Sequence, residues 1–197
     1  MYENIELDSL IVQVTRGCNL NCRHCFNSGS REGKMEVEQL KQVIEKSLKY
    51  NIMEISLSGG EPLSHPEIHE ILSVIKQYPQ ISFGILTNGT LLTEKMMQEI
   101  EESENIFMQI SFDGSKKEIY EAIRGAGTFE RFWHGLELLA GSKIKDKRVR
   151  TAVSRVNYKD VGNICRIACE KRVSPSFLFV ARLGNACESW DDLCLTD

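Results

Sequence analysis

No stretch of this sequence approaches the roughly 18 to 20 consecutive apolar residues that a membrane-spanning helix needs, so a bilayer-crossing role is excluded. The N-terminal segment from Met1 to Asp8 is acidic and lacks the basic start and apolar stretch of a signal peptide. Cytoplasmic residence is therefore expected, with no membrane partner. Nor is there an excess of positive charge: 24 Lys and Arg stand against 28 Asp and Glu, a net charge of -4. A nucleic-acid partner, which normally requires a basic element, is not expected. Tandem repeats, linkers and low-complexity tracts are absent too. With 42% hydrophobic and 26% charged residues the chain is neither disordered nor fibrous, and 197 residues suffice for one domain with a buried core.

What the sequence does have is seven cysteines. An odd number in a chain with no secretory signal argues against a disulfide framework. Cys18, Cys22 and Cys25 fall within eight residues, while Cys165, Cys169, Cys187 and Cys194 are scattered near the end. The tight group points to metal or catalysis. The scattered four read as buried structural cysteines, with Cys165 and Cys169 on one helix face.

Six short apolar or β-branched runs punctuate the chain: Leu10 to Val14, Ile52 to Leu57, Ile81 to Thr87, Ile106 to Phe112, Arg148 to Arg155 and Phe177 to Ala181. Most are nearly continuous in Val, Ile, Leu and Phe, as strands covered on both faces tend to be. Five helical stripes lie between them. Val37, Leu40, Ile44 and Leu48 mark the first; Ile68, Ile71, Leu72, Ile75 and Tyr78 the second, where Ser64, Pro66 and Glu67 predict a capping box with proline in the first turn. Leu92, Met96 and Ile100 mark the third, Phe129 to Leu139 the fourth, entered by Thr128 as a cap, and Val161 to Ala168 the fifth. Such alternation implies parallel β/α units, and either an incomplete barrel or a doubly wound sheet satisfies it. In both architectures ligands collect at the carboxyl ends of the strands.

The cysteines sit at such an end. Cys18-Asn19-Leu20-Asn21-Cys22-Arg23-His24-Cys25 follows the first strand with the spacing C-x3-C-x2-C. Three thiolates on one loop can hold three irons of a cubane cluster and leave the fourth iron open. A zinc site using Cys18, Cys22, Cys25 and His24 is one alternative, although His24 adjoins Cys25 and no second C-x2-C pair exists, and chance clustering of free cysteines is another. The second strand ends in Gly59-Gly60-Glu61-Pro62, where two glycines permit close backbone approach to a ligand. Thr87-Asn88-Gly89-Thr90 closes the third strand and Ser111-Phe112-Asp113-Gly114 the fourth, followed by Arg124-Gly125 and Gly127-Thr128-Phe129. Taken singly, Ser111 and Asp113 could form a turn, and Arg124 a surface ion pair beside Glu118 and Glu121.

This ordered set resembles the radical S-adenosylmethionine (radical SAM) superfamily. It is most similar to the peptide- and protein-modifying subgroup with C-terminal SPASM extensions, such as anaerobic sulfatase maturases and peptide maturases. The resemblance implies a partial (β/α)6 TIM-like barrel of parallel strands. It implies an oxidoreductase in which Cys18, Cys22 and Cys25 bind a [4Fe-4S] cluster whose open iron chelates S-adenosylmethionine (SAM). Reductive cleavage would then give a 5′-deoxyadenosyl radical for hydrogen abstraction from a peptide, protein or small molecule. Gly59, Gly60, Glu61 and Pro62 would receive the methionine amino group, and Ser111 and Arg124 the carboxylate or ribose, with Asp113 and Asn88 nearby. His24 stands where the family often has an aromatic, near adenine; Phe26 would offer backbone groups, and Val153 to Asn157 would flank the adenosine. An electron donor such as a flavodoxin or ferredoxin is the implied protein partner. Residues 1–197 would be a single core domain lacking the last helix and any C-terminal extension. The alternative is a non-catalytic iron-sulfur or zinc binding module, or an inactive truncated core. No acid or base is nominated, and Arg182 and the turn Leu183 to Ala186 carry no assigned role.

Overall fold

The structure, a computed structural model, describes residues 7–27, 29 and 31–195. Six strands form one sheet: β1 (Ser9–Thr15), β2 (Glu54–Gly59), β3 (Ser82–Thr87), β4 (Ile106–Ser111), β5 (Lys147–Val153) and β6 (Ser174–Phe179). All neighbours are parallel, and the spatial order β1-β2-β3-β4-β5-β6 follows the chain. A doubly wound sheet would reverse its strand order at a switch point, and this one does not, so the architecture is the partial TIM-like barrel. The helices are α1 (Val37–Lys49), α2 (Ile68–Ile75), α3 (Glu94–Glu101), α4 (Lys117–Arg124), α5 (Phe129–Gly141), α6 (Val161–Glu170) and the short α7 (Trp190–Leu193). None of the described helices is long and apolar enough to cross a membrane.

The core lies between the outer face of the sheet and the helices. Val14, Leu57, Ile85, Met108 and Val149 point outward and meet Ile44, Leu72, Ile100, Leu136 and Ile164. The inner face is different. There Gln13, Ser58, Gln109, Ser111 and Arg150 are polar, and most of β6 is exposed or half-buried. Coverage on both faces, expected from the apolar runs, therefore holds only for the middle strands. Because β1 and β6 do not pair among the described residues, the inner face stays open as a trough.

Three further expectations are corrected. Ser64 does not cap α2: it ends a 3-10 turn (Pro62–Ser64), and its hydroxyl donates to the carbonyls of Glu61 (2.7 Å) and Gly17 (3.3 Å). Pro66 precedes the helix, whose N-cap is Glu67. The reciprocal cap occurs at α1, between Glu36 and Gln39. The late cysteines are not buried either: Cys165 and Cys194 are half-buried, and Cys169 and Cys187 are exposed. Thr128 does sit at the N-cap of α5, but its hydroxyl donates to the Gly125 carbonyl at 2.6 Å and accepts no backbone N–H of the helix.

Helix α4 was not legible in the helical stripes. It shares one crossover with α5, with no strand between them, and Gly125 (φ 107°) ends it. Tyr120 stacks on Phe132 with ring centroids 4.3 Å apart, and Phe132 lies 5.2 Å from Phe112. Such pairs each add about 0.5–1.5 kcal/mol beyond burial. This aromatic group fixes the end of α4, and with it Arg124, against the end of β4.

Candidate functional site

The carboxyl ends of the strands enclose a cavity of about 400 Å³. One wall carries Cys18, Cys22 and Cys25; another carries Gly59, Gly60 and Glu61; Asn88, Ser111 and Arg124 complete it, with His24 and Phe26 beside the cysteines. Residues dispersed over more than a hundred positions thus meet in one place. Pro62 and Asp113 stand behind the wall, and the β5 side is formed by Arg150 and Ala152. Val153 to Asn157, expected along that side, are not among the residues lining the cavity: Ser154 and Asn157 are fully buried, Val153 and Val156 half-buried and Arg155 exposed.

The cysteine loop is fastened from several directions. The Leu20 N–H donates to the Cys18 sulfur at 3.4 Å, and the Cys25 N–H to the Cys22 carbonyl at 3.2 Å. Asn19 donates to the Thr90 hydroxyl at 2.8 Å and accepts from the Asn88 side chain at 3.0 Å, tying the loop to the end of β3. The Arg23 N–H donates to the carbonyl of Ile123 in α4 at 2.9 Å. Asn185 closes the other side: its backbone N–H reaches the Cys25 carbonyl (2.8 Å) and its amide the Cys22 carbonyl (3.0 Å). Sequence reasoning assigned the Leu183 to Ala186 turn no role; its Gly-Asn pair was the available signal. Cys22 is buried, and burial raises the thiol pKa values of Cys18 and Cys22 above the ordinary value.

Glu61 faces inward. Its carboxylate accepts from the Thr87 hydroxyl (2.6 Å), the Asn88 N–H (2.7 Å) and the Leu63 N–H (3.1 Å), clamping the end of β2 to that of β3. Burial pushes its pKa up, and the three donors oppose that rise. The glycines before it lie against the first strand's exit. The Gly60 N–H donates to the Thr15 carbonyl and the Glu61 N–H to the Gly17 carbonyl, both at 2.8 Å. A Cβ on Gly60 would come within 2.1 Å of the Gly17 oxygen, so only glycine permits this approach.

Arg124 is not a surface charge paired with Glu118 or Glu121. Its side chain is 11% exposed and meets the fully buried Asp113: Nε and Nη2 both lie 2.6 Å from Oδ2. Its Nη1 stands 3.8 Å from the Cys22 sulfur. His24 Nε2 donates to the same Asp113 oxygen at 2.9 Å, while the buried Nδ1 has no hydrogen-bond partner. The Ala152 N–H fills Asp113 Oδ1 at 2.8 Å. Burial would raise the Asp113 pKa, but the Arg124 and His24 charges outweigh it and hold the carboxyl well below the usual range. Arg124 is correspondingly held above its own.

The Radical SAM superfamily profile matches residues 12–168. The chain belongs to the radical SAM superfamily. Its relatives are enzymes of varied chemistry. The chain is 25% identical over 183 residues to "Mycofactocin maturase MftC" of Mycolicibacterium smegmatis, covering 92% of this chain and 46% of that protein. It is 32% identical over 171 residues to a "Probable GTP 3',8-cyclase" of Methanococcus aeolicus, covering 83% and 57%. The solved structure of native anSMEcpe with AdoMet and a peptide bound superposes with a TM-score of 0.72 at 26% identity, covering 88% of this chain and 51% of that one. This radical SAM chain thus spans about half the length of the relatives it matches.

Proposed function

We propose that this chain is the catalytic core of a radical SAM enzyme, holding a [4Fe-4S] cluster on Cys18, Cys22 and Cys25 with SAM in the adjoining cavity. The observation that carries the reading is the convergence of three thiols and the Gly-Gly-Glu-Pro turn on one cavity at the strand ends. The donor set fits the cluster. Three cysteines from one loop border the cavity, and His24 is turned to Asp113, which disfavours a zinc site using that imidazole. Bound on Cys18, Cys22 and Cys25, a [4Fe-4S] cluster would supply the one-electron reduction that splits SAM into methionine and a 5′-deoxyadenosyl radical able to take a hydrogen atom from substrate.

The chain's own residues bind, orient and exclude water. Asn19 and Asn185 tether the cysteine loop and Arg124 contacts the Cys22 sulfur, which keeps the three cysteines at the border of one cavity. The Glu61 clamp and the Gly60 contact fix the backbone that would line the methionine end of SAM. Because the Glu61 and Asp113 carboxylates are filled by internal donors, their part is to position the site. The MftC and anSMEcpe relatives favour a peptide or protein substrate, the cyclase relative a small molecule, and a flavodoxin or ferredoxin would deliver the electron.

Anaerobic reconstitution with iron and sulfide tests the reading. It predicts about four irons per chain, and formation of 5′-deoxyadenosine once SAM and dithionite are added. Cluster-loaded protein that binds no SAM would overturn it.

A further inference from the structure

The charges that face the cavity are not equally satisfied. Glu61 is filled by three internal donors, and Arg124 is committed to Asp113 and the Cys22 sulfur. Arg150 differs. It lines the cavity from the middle of β5, is exposed, and forms no ion pair among the described residues. Its Nε donates to the Ser176 hydroxyl at 3.3 Å, which leaves the terminal nitrogens of the guanidinium open.

Register explains why these groups are neighbours. Ser111 on β4 is the Cα partner of Arg150, and Arg150 is the partner of Ser176 on β6. Side chains opposite one another in a sheet share a face, so a hydroxyl flanks the guanidinium on each side. The Ser111 hydroxyl makes no hydrogen bond of its own among the described residues and borders the same cavity. The wall beyond, Leu178 and Phe179, is apolar and carries no counter-charge.

We propose that Arg150, with Ser111 beside it, is a carboxylate-binding subsite of the cavity, separate from the Arg124–Asp113 pair. An arginine fork matches a carboxylate in shape as well as charge, and a partly enclosed position strengthens the bond. The inference rests on the cofactor reading given above. The carboxylate proposed is an acidic group on the substrate, and the methionine end of SAM, where the resemblance already expects Ser111, is the competing source.

Labelling of Arg150 by phenylglyoxal in the cluster-loaded protein, mapped by mass spectrometry, separates them. Equilibrium dialysis of SAM is run alongside, so that failure of the cofactor reading registers as absence of SAM binding. Protection by SAM but not by decarboxylated SAM gives the guanidinium to the cofactor and overturns the proposal. Protection by glutarate but not by glutaramide, with SAM already bound or in its absence, assigns it to substrate. Arg150→Met should then weaken binding of the protecting ligand by about tenfold or more, with Arg150→Lys intermediate. Equal labelling of Arg150 under all conditions, or unchanged affinities in Arg150→Met, overturns the proposal.

Discussion

At the scale of single residues, the site is governed by where buried charge finds partners. Asp113 lies 39 positions before its Ala152 donor and 11 before Arg124, and all its acceptor capacity is used. Asp113→Ala leaves the Arg124 cation buried without a partner, which costs about 3–5 kcal/mol; chemical denaturation checks this. The same carboxyl has a pH signature. It titrates lower in the folded chain than in the unfolded one, so its stabilisation is whole above about pH 4 and drains away as acid protonates it in the native state. The unfolding free energy of Asp113→Asn should therefore fall less steeply than that of the unaltered protein below that pH. Gly60→Ala forces a Cβ onto the Gly17 carbonyl and should cost about 1–3 kcal/mol or more, with loss of bound iron. Motif and spacing made the three cysteines and the glutamate legible in the sequence. The inward direction of Glu61 and the Arg124–Asp113–His24 contact were not, because their partners lie far along the chain.

At the scale of elements, the six strands were readable because each outward row is apolar and each run is short. Two helical features escaped. Ser64 has the sequence of a cap, yet the Gly-Gly-Glu-Pro turn uses its hydroxyl to close on the first strand's exit. Helix α4 carries Ile119, Tyr120 and Ile123 before Gly125, a usable signal in a stretch too short for a long periodic stripe. Elements also differ in how much they tolerate. Gly162, inside α6, has open space where a Cβ would project, so Gly162→Ala should stabilise by up to about 1 kcal/mol. At the opposite end, Asn185→Ala removes an amide donor from the Cys22 carbonyl. Hydrogen exchange across residues 18–25 should accelerate in that variant, while α1 stays protected.

At the scale of the molecule, the strand order determines what a local motif can become. A sheet that adds each strand beside the last curls toward a barrel, and its carboxyl ends converge. The sequence left the incomplete barrel and the doubly wound sheet equally open, since both alternate strand and helix. Only pairing distinguishes them. The open trough between β1 and β6, with Leu178 and Phe179 on its side, leads to the same cavity that the cysteines border.

The proposed chemistry depends on these three thiols holding the cluster. Its most direct test is 5′-deoxyadenosine formation from SAM by the reconstituted protein under dithionite. The unaltered chain should form the product, and Cys22→Ala should fall to background while remaining folded by circular dichroism. Cluster-loaded, SAM-binding protein that forms none, or undiminished product from Cys22→Ala, would contradict it.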